Sequence, residues 1–319
     1  MTKMAMLGPT GVGKTSLLAA MYPQLEEHFP GDGYQLVPEE QTRLVLDNLR
    51  QKLANLGSGG GASVADMQVE GTKNLQEFNF DLKYANETVA DLSLQIFDMP
   101  GAYCTENGGA EAIKILNGSD VSFWCIDCVA LMEKSGRLND TINQPAAITS
   151  VLKKANLNPN HTLCIVLMRS ETYEQSKCFE ELKTQVKSAF GDYFTDDIKS
   201  IKQIRKVFYC SVQTTGNLRY SYHDKEQAVF IKHAELEYSP KNCECPVLCA
   251  LDRSIEEAVF QTLNKMEEIS VKYPIVRYFL NSFNSEYAKC VRLRKRLEFA
   301  RGKIAFYLSE KDKRFFEWK

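Results

Sequence analysis

No apolar run in these 319 residues approaches the roughly 18 that a membrane-crossing helix needs. An excess of either charge is also missing. The 39 basic residues stand against 41 acidic ones, a formal charge of -2, so the chain as a whole gives no reason to expect nucleic acid or an acidic membrane as a partner. No internal repeat is visible, and no cysteine near Lys319 could carry a prenyl anchor. The first expected strand starts within a few residues of Met1, which leaves no room for a signal peptide. The 10 cysteines are scattered through apolar stretches such as Phe123–Ile126 and Leu163–Val166, so reduced thiols and a cytoplasmic location are expected. Cys125 and Cys128 form a C-x-x-C without a matching second pair. Cys243, Cys245 and Cys249 cluster without a histidine at zinc spacing, so a structural zinc is not expected.

The run Gly8-Pro9-Thr10-Gly11-Val12-Gly13-Lys14-Thr15 is a complete phosphate-binding loop. It follows the apolar Met4–Leu7 and runs into Ser16–Met21, which is the strand, glycine loop and helix order that the motif requires. Glycine tolerates the unusual dihedrals that let backbone N–H groups converge on an anion, and the helix start adds its positive dipole end. Lys14 should supply charge to the outer phosphates. The Thr15 hydroxyl should ligate the magnesium that accompanies a nucleoside triphosphate.

Further along, apolar residues at Val45, Leu46, Leu49, Leu53 and Leu56 predict a helix that opens at Pro38-Glu39-Glu40 and ends at Gly57. The Gly57–Gly61 stretch reads as a loop. Strands are expected at Gln76–Leu82 and Val89–Phe97, joined at Ala85-Asn86-Glu87. The second ends in Asp98-Met99-Pro100-Gly101. There the Asp can hold a magnesium-bound water and the Gly N–H can meet the terminal phosphate. Buried strands at Val121–Ile126, Thr162–Leu167 and Val207–Val212 alternate with helices near 140–155 and 179–190, predicting an α/β fold with a doubly wound, mostly parallel sheet. Residues 213–245 resist assignment. Pro246 opens a long helix to about Pro274, and a last helix carries Lys289, Arg292, Arg294, Lys295, Arg296, Arg301 and Lys303. With Val291, Leu293, Leu297, Phe299 and Ile304 interleaved, that helix reads as one face docked and the other solvated, rather than as a nucleic-acid or lipid site.

This order of motifs resembles the Ras-like branch of the small GTPase superfamily over residues 1–272, with insertions near 35–66 and 213–245 and a helical extension at 273–319. The resemblance implies a P-loop NTPase fold that binds GTP and GDP with Mg2+ and switches conformation on hydrolysis. It gives Gly8, Thr10, Gly11, Val12, Gly13, Lys14, Thr15 and Ser16 to the phosphates, and Thr15 and Asp98 to the metal. It assigns Lys14 and Gly101 to transition-state stabilisation. A switch threonine should also reach magnesium; Thr72 is the candidate, with Ser63 its competitor. Ser211 and Val212 fall where a backbone pair touches the guanine oxygen.

Two departures matter. Asn-Lys-x-Asp is replaced by Met168-Arg169-Ser170-Glu171, where Glu171 can accept from the guanine edge, Arg169 can lie over the base, and Met168 can make neither hydrogen bond of an Asn. A water-orienting Gln is replaced by Ala102 and Tyr103, so slow turnover is expected unless Glu106 or an Arg from a partner substitutes. A GTPase switch, a GTP-binding module with little hydrolysis and a P-loop ATPase are the three functions that follow. The effector or regulator is unknown.

Overall fold

The computed structural model describes residues 1–27, 29, 33–58, 73–85, 87–105, 109–173, 176–192, 201–224, 227–232, 236–273, 280–311 and 315–317. In chain order the elements are β1 (Thr2–Leu7), α1 (Lys14–Glu27), β2 (Tyr34–Pro38), α2 (Glu40–Ser58), β3 (Gln76–Tyr84), β4 (Leu92–Asp98), α3 (Gly109–Leu116), β5 (Val121–Asp127), α4 (Cys128–Met132) and α5 (Asn139–Ile142). There follow α6 (Pro145–Lys154), β6 (His161–Met168), α7 (Ser176–Asp192), β7 (Ile204–Ser211), β8 (Leu218–Asp224), β9 (Gln227–Lys232), α8 (Cys245–Lys272), α9 (Leu280–Phe283), α10 (Ser285–Glu310) and β10 (Phe315–Glu317).

The main sheet runs β10-β7-β6-β5-β1-β4-β3-β2. Its centre, β7 to β4, is parallel, while β3, β2 and β10 each pair antiparallel to their inner neighbours. Every residue of β5 and β6 is buried, as central parallel strands covered on both faces must be. Alternation sends Met4, Met6, Phe123 and Cys125 to one face, against α1, α2, α8 and α10. Ala5, Leu7, Trp124 and Ile126 go to the other, against α3, α6 and α7. The doubly wound α/β expectation is met.

Several boundaries differ from the sequence reading for identifiable reasons. The single helix expected near 140–155 is two, because Gln144 takes φ 47 and the ring of Pro145 starts a new helix. β4 starts at Leu92 rather than Val89, since Val89 lies exposed in the preceding turn. The 35–66 insertion contributes an edge strand, β2, ahead of its helix. The unassigned 213–245 stretch contains the β8–β9 hairpin. Within the 273–319 segment, Leu297, Ala300, Ile304 and Leu308 of α10 join the core on the β1 face, and β10 lengthens the sheet beside β7.

His161 opens β6 fully buried. Its Nδ1 lies 2.9 Å from the Ser119 carbonyl, which can only accept, so Nδ1 carries the proton and Nε2 accepts from the Ser122 hydroxyl at 3.0 Å. Burial lowers its pKa from 6.5 to about 4. The unfolded chain therefore binds the extra proton first, and stability present above pH 6.5 is lost as pH falls towards 4, by about 3 kcal/mol in total. Urea unfolding of the parent should show this acid limb, and His161→Gln should flatten it. Parallel pH profiles for the two proteins would contradict the assignment.

Candidate functional site

Parallel strands present their carboxyl ends together, and the register fixes who meets whom there. Met6 of β1 lies beside Asp98 of β4, and Leu7 lies beside Trp124 of β5. The chain leaves β1 at Gly8 with φ +145, continues through Gly11 at +76 and Gly13 at +104, and enters α1 at Lys14. A Cβ at Gly8 would come within 2.7 Å of the Cys125 carbonyl, so the loop lies directly on the end of β5. Lys14 is buried beneath the loop and its Nζ donates to the carbonyls of Gly8 (2.9 Å) and Pro9 (3.1 Å). Val12 is buried, whereas Thr10 and Gly11 are exposed and Thr15 and Ser16 half-buried. The first N–H groups of α1 face into this cup without intrahelical acceptors, as at any helix start.

Asp98 is fully buried, and the Thr15 hydroxyl donates directly to its Oδ2. The turn that follows folds down onto the glycine loop: a Cβ on Gly101 would lie 2.1 Å from the Thr10 nitrogen and 2.5 Å from the Pro9 carbonyl carbon. Cys104, at the end of the Gly101–Cys104 turn, accepts from the Gly8 N–H at 3.4 Å, and burial pushes its thiol pKa up. A thiol kept neutral there acts as packing and as a weak acceptor. Thr15 and Asp98 are hard oxygen ligands side by side next to a phosphate-sized cup, which is the donor set that magnesium takes from a protein when phosphate oxygens supply the rest. Among the described residues no group of three or more His, Cys, Asp or Glu side chains could hold a metal unaided. The nucleotide would therefore have to complete the shell.

The base-side corner departs from expectation. Arg169, at φ +59, turns back to the loop: it bonds Asp127 Oδ2 at 2.6 Å and the Gly11 carbonyl, and its guanidinium lies 5.0 Å from the Phe230 ring centre. Two charge-assisted hydrogen bonds and an aromatic face hold it there, so its guanidinium braces the glycine loop. Met168 packs its Cε 3.2 Å from where a Gly13 Cβ would be, filling with carbon the place where an amide would have bonded. Glu171 is buried in the Ser170–Tyr173 turn, whose Ser170 hydroxyl donates to the Val212 carbonyl at 2.9 Å. The Val212 N–H donates to the Leu167 carbonyl at 3.1 Å, extending the β6–β7 ladder. Both polar backbone atoms of Val212 are thus spent inside the fold, which corrects its expected role as a base donor. Ser211 is buried at the end of β7. Thr72, Ser63 and Glu106 lie outside the described residues.

Asp127, Phe230 and Cys104 were missed by sequence reasoning. Asp127 caps α4 by accepting from the Val129 N–H at 2.9 Å, a role that an Asp before a helical run does signal; its pairing with Arg169 carried no local signal. Phe230 arrives on the β8–β9 hairpin, anchored where the Tyr220 N–H donates to Thr172 Oγ1 at 2.8 Å.

No match was found among curated proteins. Residues 3–214, running from β1 to just past β7, match the Double-GTPase 2 family model, and this covers the glycine loop, Asp98–Gly101 and the Met168–Glu171 corner. Since that match spans most of the chain and every element of the phosphate cup, the protein belongs to the Double-GTPase 2 family and carries a P-loop GTPase-type domain.

Proposed function

We propose that the protein binds a guanine nucleotide with Mg2+, hydrolyses GTP slowly, and uses the terminal phosphate to reposition the Asp98–Thr105 turn. The observation that carries this reading is the hydrogen bond from Thr15 to Asp98, formed beside a lysine already held under the glycine loop. Backbone N–H groups of Gly11, Val12, Gly13, Lys14, Thr15 and Ser16 receive the phosphate oxygens, with Gly8 and Thr10 shaping the rim. Lys14 Nζ is fixed by two carbonyls and needs only a short reorientation to meet the outer phosphates. The Gly101 N–H caps the terminal phosphate from the opposite side. Thr15 and Asp98, with Thr72, would hold magnesium, which would supply positive charge to the outer phosphates. Glu171 accepts from the base edge, Ser211 borders it, and Arg169 keeps the loop in shape beneath it.

Turnover is slow because the turn after Gly101 carries no Gln, and its one hydroxyl without a hydrogen bond among the described residues belongs to Tyr103, half-buried against the core on the Trp124 face of the sheet. Ala102 is exposed and apolar, Cys104 is buried, and the Thr105 hydroxyl is bonded to the Ala102 carbonyl at 2.8 Å. Glu106, or an arginine brought by a partner, supplies the missing contact. The same observation favours a second reading, a GTP-binding module that scarcely hydrolyses. Met168, apolar in the base-reading motif, is the feature that keeps ATP as the competitor to be tested.

Purified protein should release guanine nucleotide on denaturation, and Lys14→Ala should release none and lose about 100-fold in GTP affinity. GTP and ATP are titrated side by side, with phosphate release recorded. No retained guanine nucleotide and no GTP affinity in the parent would defeat both GTP readings, while tight binding without phosphate release would select the second.

A further inference from the structure

The end of the sheet remote from the glycine loop carries a groove of about 1630 Å³ between the β3–β4 turn, α8 and α10. Small-molecule pockets occupy roughly 300–1,000 Å³, so this one has room for a peptide segment. Its charges sort into two groups. Arg296 bonds Glu87 at 2.7 Å and also Asp91, and Lys265 pairs with Glu286 at 2.8 Å. Those cations hold the helix in place. Lys289, Arg292 and Lys295 are exposed, follow one another at three-residue spacing along the α10 wall, and make no close ion pair among the described residues, although Lys289 acts at longer range on Glu286, whose carboxylate is already bonded to Lys265. The rest of the lining is mixed: Ser93, Gln261, Thr262 and Ser285 are polar, and the apolar share includes Val89, 73% exposed, Phe299, 53% exposed, and the half-buried Leu293.

We propose that this groove docks an acidic, amphipathic peptide segment of a partner protein. Carboxylates of the segment meet Lys289, Arg292 and Lys295, while its apolar side chains cover Val89, Leu293 and Phe299. A bilayer or a duplex would need its cations on a flat or convex face, whereas these line a concavity that also holds the carboxylates of Glu87, Asp91 and Glu286, which would repel a run of phosphates, and apolar side chains that gain nothing from phosphate. Single-stranded nucleic acid would seek an open aromatic face, but Lys303 Nζ already sits 5.4 Å from the Phe299 ring centre. Carboxylates on an apolar backing satisfy both halves of the groove.

The test titrates full-length protein into a fluorescein-labelled helical peptide of Glu and Leu, the same peptide with Lys for Glu, phosphatidylserine vesicles and oligo(dT). Saturable binding of the Glu peptide alone is expected, weakening as salt rises. The combined Lys289→Glu, Arg292→Glu and Lys295→Glu variant should lose about tenfold in affinity, and Phe299→Ser several-fold by itself, while melting temperature and GTP binding stay at parental values. Absence of saturable Glu-peptide binding, equal binding by the charge-reversed variant, or preference for vesicles or oligo(dT) would each overturn the proposal. Because GTP binding is read separately, failure here leaves the nucleotide reading intact, and the reverse also holds.

Discussion

Gly101→Ala is expected to be among the most damaging single-methyl additions in the protein. The new Cβ would meet backbone atoms, 2.1 Å from the Thr10 nitrogen and 2.5 Å from the Pro9 carbonyl carbon, so no side-chain rotation can relieve it. Either the Gly101–Cys104 turn lifts from the glycine loop or the loop itself shifts. Overpacking of a tight contact costs about 3 kcal/mol. Lifting the turn also breaks the Gly8 to Cys104 hydrogen bond and uncovers a buried thiol. Calorimetry should show a clear drop in melting temperature, and thiol labelling at Cys104 should accelerate. Gly11→Ala is the internal control for space, since nothing lies within 4 Å of the Cβ it would add, although its φ of +76 imposes backbone strain. If Gly101→Ala melts with the parent and Cys104 stays protected, the turn does not rest on the loop as described.

The second large effect is expected from Asp98→Asn, which keeps shape and removes charge. The Asn carbonyl oxygen can still accept from Thr15, so the fold and magnesium-free nucleotide binding should survive. What disappears is the carboxylate beside the cation. Magnesium-dependent GTP affinity should fall by about 100-fold, equivalent to about 2.7 kcal/mol. Titration of a fluorescent GTP analogue with and without EDTA reads the two terms separately. A variant whose magnesium dependence matches the parent would remove Asp98 from the metal site.

How much of this was legible beforehand follows from where each interaction lies along the chain. The glycine loop is a contiguous motif, and its strand, turn and helix signals agree within 20 residues of one another. Asp98 was readable because it closes an apolar strand. Its contact with Thr15 spans 83 residues, but both ends carry their own signatures. The Arg169 bonds span 42 residues to Asp127 and 158 to Gly11, and neither acceptor advertises itself, so the bracing of the loop by its guanidinium was not legible beside the place over the base expected for its stem. Val212 was misassigned by counting along the sequence. The ladder bond to Leu167 shows that β6–β7 pairing continues beyond the assigned end of β7, and a one-residue shift along a strand end exchanges a free N–H for a paired one. Edge elements such as β2 and β10 were missed because short antiparallel edges are stabilised by their neighbours more than by a pattern of their own.

The family match stops at residue 214, yet the hydrophobic interior does not. Leu248, Leu251 and Ile255 of α8, with Leu297 and Ile304 of α10, close the same cluster that contains Met4, Met6 and Ile96. The nucleotide-handling half is consequently no detachable cassette: severed at its homology boundary it would present a raw oily flank to water. Whatever loosens the tail must therefore also loosen the engine, because both draw on one interior.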